Sequence, residues 1–247
     1  MSIRGILFDK DGTLLKFQDL WLDAAKSVVR DFIFINKLPD TEAMHTSVLK
    51  AMGVEGDSVR ADSPLAYMTY EQIGAVVAEK LREQQPEVVM SNELAGRQMS
   101  VLFETVLETE QLSCVPTCDL QELFRELRER GIRIGLATAD NFPVTVKCLK
   151  QLGVETEFDF IGCDDGLLQP KPQPDMFEAF CRQCGLLPEE VAVVGDTAND
   201  MHFAGACGGT AIGTLSGLAD RGTLTGLADY IVDTPAEILM LLEEQTV

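Results

Sequence analysis

The segment Ile3-Arg-Gly-Ile-Leu-Phe-Asp-Lys-Asp-Gly-Thr13 runs from an apolar strand directly into two carboxylates and a glycine turn. A strand buried as far as Phe8 has no packing reason to present Asp9, Lys10 and Asp11 in succession. Ionised groups at a strand end must be solvated, paired or bound to a cation. Gly12 permits a sharp turn, after which Thr13 and Leu14 re-enter packed structure. One reading is a polar strand-to-loop corner. The chemical reading is a carboxylate nucleophile at Asp9, with Asp11 as general acid and base, both held near a hard cation.

Two more segments follow the same grammar. Ile132-Arg-Ile-Gly-Leu-Ala137 is an apolar run that stops at Thr138, and Val191-Ala-Val-Val194 stops at Gly195-Asp196. Each reads as a buried strand of a parallel sheet, preceded by an amphipathic helix. The first helix is expected over Asp119 to Arg130, with Leu120, Leu123, Phe124 and Leu127 at helical spacing and Gly131 as its stop. The second is expected over Pro174 to Cys184, with Met176, Phe177, Phe180 and Cys184 apolar and Gly185 as its stop. This alternation predicts an α/β fold with a doubly wound parallel sheet, in which ligands bind beyond the carboxyl ends of the strands. Asp9, Thr138 and Asp196 all belong to that edge.

Taken in order, Asp9-Lys-Asp-Gly-Thr-Leu14, Thr138, Lys171 within Pro170-Lys-Pro172, and Gly195-Asp-Thr-Ala-Asn-Asp200 resemble the four motifs of the haloacid dehalogenase superfamily. The resemblance covers the whole chain, including Pro174-Asp-Met-Phe177 and Ala204-Gly-Ala206, and is greatest to the phosphoglycolate phosphatase type. It implies a Rossmann-like core and a phosphatase. Asp9 would attack phosphorus and form an aspartyl-phosphate, and Asp11 would protonate the leaving oxygen and then deprotonate the attacking water. Thr138 and Lys171, with Gly12 and Ala139, would hold the phosphoryl group. A threonine capping a strand end and a solvated surface lysine are the plain alternatives. Pro170 and Pro172 stiffen the backbone on both sides of Lys171, which suits an aimed side chain.

Asp196 and Asp200 are spaced so that both could face one cation, the first at a strand end and the second about one helical turn on. With Asp9 and the backbone carbonyl of Asp11 they would form an all-oxygen site suited to Mg²⁺. Alternatively, Asp200 caps the first turn of the next helix. Asp164 and Asp165 fall near the same edge, at most outside the ligands themselves. Ion-pumping P-type ATPases share an Asp-Lys motif but carry threonine at the second acidic position, so Asp11 implies rapid dephosphorylation here. Leu15-Lys16-Phe17-Gln18 replaces the acidic, hydroxyl-bearing run common in phosphoglycolate phosphatases. That departure bears on the substrate rather than on the reaction.

The stretch between the first two motifs is too long for a crossover. It contains helical patterns over Leu20 to Phe34, Thr41 to Met52, Thr69 to Leu81 and Asn92 to Leu107. The expected organisation is a catalytic core of residues 1–15 and 117–247 with an inserted α-helical cap domain over residues 16–116. Caps exclude water and select substrates. Hinges are expected near Lys16 to Asp19 and Ser113 to Cys118. Lys16, Lys26, Arg30 and Arg60 could meet a substrate carboxylate, but solvated surface is the ordinary fate of such residues.

A formal charge of −20 disfavours nucleic acid and anionic membranes as partners. No apolar run approaches the ~20 residues of a membrane span, and no signal-peptide pattern is present. Seven scattered cysteines, an odd number, fit reduced thiols in a cytoplasmic protein. Cys181 and Cys184 have metal-like spacing but lie on one expected helix without a second ligand pair, which favours buried helix cysteines. His45 and His202 are too far apart to suggest a pair. The expected activity is Mg²⁺-dependent hydrolysis of a small cytosolic phosphomonoester, with 2-phosphoglycolate the first candidate, by a monomer or homodimer. A sugar phosphomutase and a non-catalytic binding protein of the same fold are the alternatives.

Overall fold

The computed structural model describes residues 3–60, 63–84 and 89–244. Residues 1–2, 61–62, 85–88 and 245–247, which fall inside the expected core and cap intervals, lie outside the described residues. The chain divides into two compact units, one of Met1–Phe17 and Cys114–Val247 and the other of Gln18–Ser113. In chain order the elements are β1 (Gly5–Phe8), α1 (Phe17–Ile35), α2 (Glu42–Met52), β2 (Val54–Glu55), β3 (Ser58–Val59), α3 (Pro64–Tyr67), α4 (Tyr70–Gln84) and α5 (Asn92–Thr109). Then follow α6 (Leu120–Glu129), β4 (Arg133–Ala137), α7 (Phe142–Leu152), β5 (Phe160–Gly162), α8 (Asp175–Cys184) and β6 (Val191–Gly195). The chain continues through α9 (Ala198–Cys207), β7 (Thr210–Thr214), α10 (Arg221–Leu224), β8 (Tyr230–Val232) and α11 (Ile238–Glu244).

The discontinuous unit is built on a six-stranded sheet of order β5-β4-β1-β6-β7-β8. Its strands are parallel throughout. β1 lies between β4 and β6, with Phe8 level with Leu136 on one side and Val194 on the other. Successive side chains of a strand point to opposite faces. Thus Ile6 and Phe8 join Ile134, Leu136 and Val194 under Leu123, Phe124 and Leu127 of α6. Leu7 joins Val191 and Val193 on the other face, against Phe177 and Phe180 of α8 and Phe203 of α9. Both faces being covered, the central strands β1 and β6 are apolar throughout and turn polar only where they leave the sheet.

The helices begin and end where their sequence directs. Asp119 accepts a hydrogen bond from the Glu122 amide at 3.0 Å to cap α6, and Asn141 does the same for Val144 at the start of α7. Gly185 ends α8 in a left-handed conformation. The second unit holds α2 to α5, most of α1 and the antiparallel pair β2-β3. Its core includes Val28, Phe32, Val48, Val77, Met99 and Phe103, all fully buried, with Tyr70 stacked on Phe103 at 4.6 Å. At the junction, the outgoing and returning chains of the first unit run side by side, joined by Lys16 N to Val115 O at 2.8 Å and Thr117 N to Leu14 O at 3.1 Å.

Phe124 meets Phe8 and Phe158 edge to face, at 5.7 and 5.2 Å. Phe124→Ala is expected to destabilise this unit by ~3–5 kcal/mol, the usual range for emptying an aromatic core site. Denaturant unfolding followed by signals from the sheet-bearing unit measures the effect.

Candidate active site

Each acidic residue sits where a buried strand stops. The Asp9 amide still belongs to the sheet, donating to Val194 O at 2.8 Å. The chain then turns, with the Leu14 and Leu15 amides donating to Lys10 O at 2.9 and 3.1 Å. Gly12 takes φ +86°, and a β-carbon there would stand 2.3 Å from Asp196 Oδ2. Both the turn and the close approach therefore require glycine.

Asp9, Asp196 and Asp200 each present a carboxylate oxygen within 4.8 Å of the others, and Asp196 and Asp200 are buried. The Lys171 ammonium donates to Asp9 Oδ1 and Asp200 Oδ1, both at 2.6 Å, bridging the first motif to the last. Asp200 also serves its own helix. Its Oδ2 accepts from the Thr197 hydroxyl at 2.5 Å and the Thr197 amide at 3.1 Å, closing a capping box at the start of α9. The cap role offered by its sequence position is therefore filled by Oδ2, which leaves Oδ1 facing Lys171 in the acidic cluster. Asp196 Oδ2 accepts from the Leu218 amide at 2.8 Å, while its Oδ1 is buried and has no hydrogen-bond partner among the described residues.

Burial raises the Asp9 carboxyl to about 7, against the opposing pull of Lys171 and with the help of Asp200 and Asp11. Asp196 is driven well above the ordinary carboxylate range by burial first and then by Asp9 and Asp200. For Lys171 burial opposes the charge, but Asp200 and Asp9 outweigh it and hold the ammonium firmly protonated. Three carboxylates gather beside one lysine that bonds two of them, and an oxygen atom is left buried without a donor. A hard cation bound by oxygen ligands would relieve both conditions, so the donor set fits Mg²⁺.

Asp11 stands outside this cluster. Its Oδ1 accepts from Lys10 Nζ at 2.8 Å, and the same ammonium lies 2.9 Å from Asp140 Oδ2. Burial opposes the Lys10 charge, yet Asp11 and Asp140 more than restore it. Thr138, nearly fully buried, follows β4, with its amide on Gly162 O at 3.0 Å and its hydroxyl accepting from the Asp140 amide at 3.2 Å. Ala139 is exposed at the bend between them.

The model for haloacid dehalogenase-like hydrolases matches residues 3–208. The chain belongs to that family. Among curated relatives, a phosphoglycolate phosphatase of Chromobacterium violaceum is 34% identical over 47% of this chain and 52% of its own length. Another, of Shigella dysenteriae, is 26% identical over 87% of this chain and 82% of its own. The pyrophosphatase PpaX of Bacillus mycoides is 25% identical over 98% of both chains. Among solved structures, a predicted phosphoglycolate phosphatase from Haemophilus somnus superposes with a TM-score of 0.70, at 20% identity, over 98% of both chains. The β-phosphoglucomutase of Clostridium difficile does so with a TM-score of 0.61 at 15% identity over 99% of both. Family membership together with phosphatase-named relatives supports a phosphatase.

Other acidic and basic residues of this hydrolase lie elsewhere. Asp164 and Asp165 are exposed, Asp165 accepting from the Leu167 amide. Lys16 is exposed, and Lys26, Arg30 and Arg60 form exposed ion pairs with Asp57, with Asp31 and Glu110, and with Glu55. His45 pairs with Asp40, and His202 is exposed. Cys181 is buried on α8, and all seven cysteines are free thiols. The turn after β7 is a contributor that sequence reasoning missed. Ser216 Oγ donates to Gly12 O at 2.8 Å, and a β-carbon on Gly217 would stand 1.9 Å from Asp196 Oδ2. A Ser-Gly pair just after a short apolar run was the available signal.

Because the folded state holds the Asp9 proton to about 7 against 3.8 for an ordinary aspartate, Asp9 lowers stability progressively as pH rises between those values. Below that window both states are protonated and the effect vanishes. In chelator, Asp9→Asn should therefore match the parent near pH 4 and exceed it at pH 8 by on the order of a few kcal/mol, at about 1.4 kcal/mol per pH unit. Chemical denaturation at the two pH values checks it.

Proposed function

We propose that the enzyme hydrolyses the phosphomonoester of a small metabolite with Mg²⁺, through a phosphorylated Asp9. The observation that carries the reading is the shared Lys171 between Asp9 and Asp200, with the unpartnered Asp196 Oδ1 beside them. Asp9, Asp196 and Asp200, with the backbone carbonyl of Asp11, would hold the cation. When bound, it would neutralise phosphoryl charge and allow an anionic ester to approach an anionic nucleophile.

The chain's own groups supply the remaining chemistry. A carboxylate oxygen of Asp9 forms a bond to phosphorus as the ester P–O bond breaks, and Asp11 gives its proton to the leaving oxygen. Asp11, now a carboxylate, takes a proton from water as that water attacks phosphorus, releasing inorganic phosphate and restoring Asp9. Lys171 and Thr138, with the backbone around Gly12 and Ala139, offset charge on the phosphoryl oxygens.

We take the residue 16–116 insertion to be the cap that selects the substrate, with hinges near the two chain crossings. The first candidate is 2-phosphoglycolate, supported by the phosphoglycolate phosphatases among the relatives. The free thiols favour a cytoplasmic setting. A phosphomutase would use the same nucleophile but return the phosphoryl group to a sugar, and inorganic phosphate release separates the two.

A screen of phosphorylated metabolites should show Mg²⁺-dependent phosphate release that stops in excess chelator. Asp9→Asn should abolish it in a folded protein. Undiminished release in chelator would remove the metal from the mechanism. Transfer between sugar positions without phosphate release would favour the mutase.

A further inference from the structure

Lys10 lies between the nucleophile and the acid-base residue in sequence, yet its side chain is fully buried. Burying an ammonium costs several kcal/mol unless carboxylates receive it, and an aliphatic side chain would fill the same space without that penalty. The recipients here are specific. Lys10 Nζ stands 2.8 Å from Asp11 Oδ1 and 2.9 Å from Asp140 Oδ2. Asp140 is itself fixed, its amide donating to the Thr138 hydroxyl at 3.2 Å and its carbonyl accepting from the Asp164 amide at 3.0 Å. A continuous chain of polar contacts therefore runs from Asp11, after β1, through Lys10 and Asp140 to Thr138, after β4.

We propose that Lys10 is a positioning residue for the reaction, a buried strut that holds the Asp11 carboxylate in one orientation and ties it to the Thr138 turn through Asp140. The assignment rests on the phosphatase reading above, in which Asp11 moves the proton. Asp11 follows a strand end and precedes the turn made by Gly12 at φ +86°. Proton transfer requires the carboxyl within hydrogen-bond reach of the leaving oxygen. A strut anchored on the neighbouring strand end supplies that restraint, because β4 and β1 are in direct register.

The test separates proton transfer from general damage. Alkyl phosphates have poor leaving groups and need the acid, whereas aryl phosphates with good leaving groups need it little. Lys10→Met alone would strand two carboxylates, so Lys10→Met/Asp140→Asn removes the ammonium and one recipient together, and Asp140→Asn alone tests the strut from its far end with little change of shape. For the double variant, the single-turnover rate of leaving-group release, which reports the first step alone, should fall by about tenfold or more with an alkyl phosphate while changing by less than about threefold with an activated aryl phosphate, a share of the ~10²–10⁴ that acid-base catalysis supplies. Asp140→Asn should show the same selectivity to a smaller degree. In an Asp11→Asn background, removing Lys10 should add little further loss on the alkyl substrate.

Equal fractional losses in single-turnover leaving-group release from both substrates would make Lys10 merely structural and overturn the proposal. So would full alkyl phosphatase activity in either variant. If the parent released no phosphate, or if Asp11→Asn showed no leaving-group selectivity, the phosphatase reading would fail first and the role of Lys10 with it.

Discussion

Like charge gathered at one sheet edge is the constraint on which the rest of the structure depends. Asp9, Asp196 and Asp200 bring carboxylate oxygens within 4.8 Å of one another in a largely buried setting. Left alone, such groups would repel or take up protons, and burial does push Asp9 to about 7. Lys171 offsets part of the charge by donating to two of the three. The residual negative potential suits a hard cation, and a cation in turn suits a phosphate ester. The sheet makes this possible because its parallel strands are covered on both faces and open only at their ends.

A second charged network sits beside the first and differs from it in kind. Around Lys171 two of the carboxylates face a shared ammonium and the third keeps an unpartnered oxygen, an arrangement receptive to a ligand. Around Lys10 two carboxylates stand at ion-pair distance from one ammonium sealed from solvent, Asp11 by a hydrogen bond and Asp140 by charge alone. Asp11 faces the second network and Asp9 the first, so the two acidic residues of one motif are held by different lysines. This separation fixes the two motif carboxylates independently of one another.

Much of this was legible in the chain because buried parallel strands are continuous apolar runs whose abrupt polar ends stand out. The corners at Asp9, Thr138 and Asp196 follow that logic, and so do α6 and α8, whose apolar residues recur at helical spacing and whose ends carry glycine. The strands β7 and β8 carry weaker signals, because Thr210-Ala-Ile-Gly-Thr214 is diluted by threonine and glycine and Tyr230-Ile-Val232 has only three residues. The two-residue strands β2 and β3 carry no period to detect. Lys10 was invisible for another reason. A lysine is ordinarily solvated, and only three-dimensional proximity to Asp140, far along the chain, reveals it as buried. The bond from Lys171 to Asp200 was likewise beyond sequence: the helix cap occupies one carboxylate oxygen and leaves the other to meet a lysine 29 residues away.

The central claim is that Asp9 becomes covalently phosphorylated and that Asp11 is needed to remove the phosphoryl group. Intact-protein mass spectrometry of Asp11→Asn, mixed with Mg²⁺ and an activated aryl phosphate and quenched in acid, tests it most directly. The account predicts a mass increase of one phosphoryl group, mapped to Asp9 and absent when Asp9→Asn is added. Phosphate release by the folded Asp11→Asn variant at the parent rate on an alkyl phosphate, with no covalent adduct at any time, would contradict it.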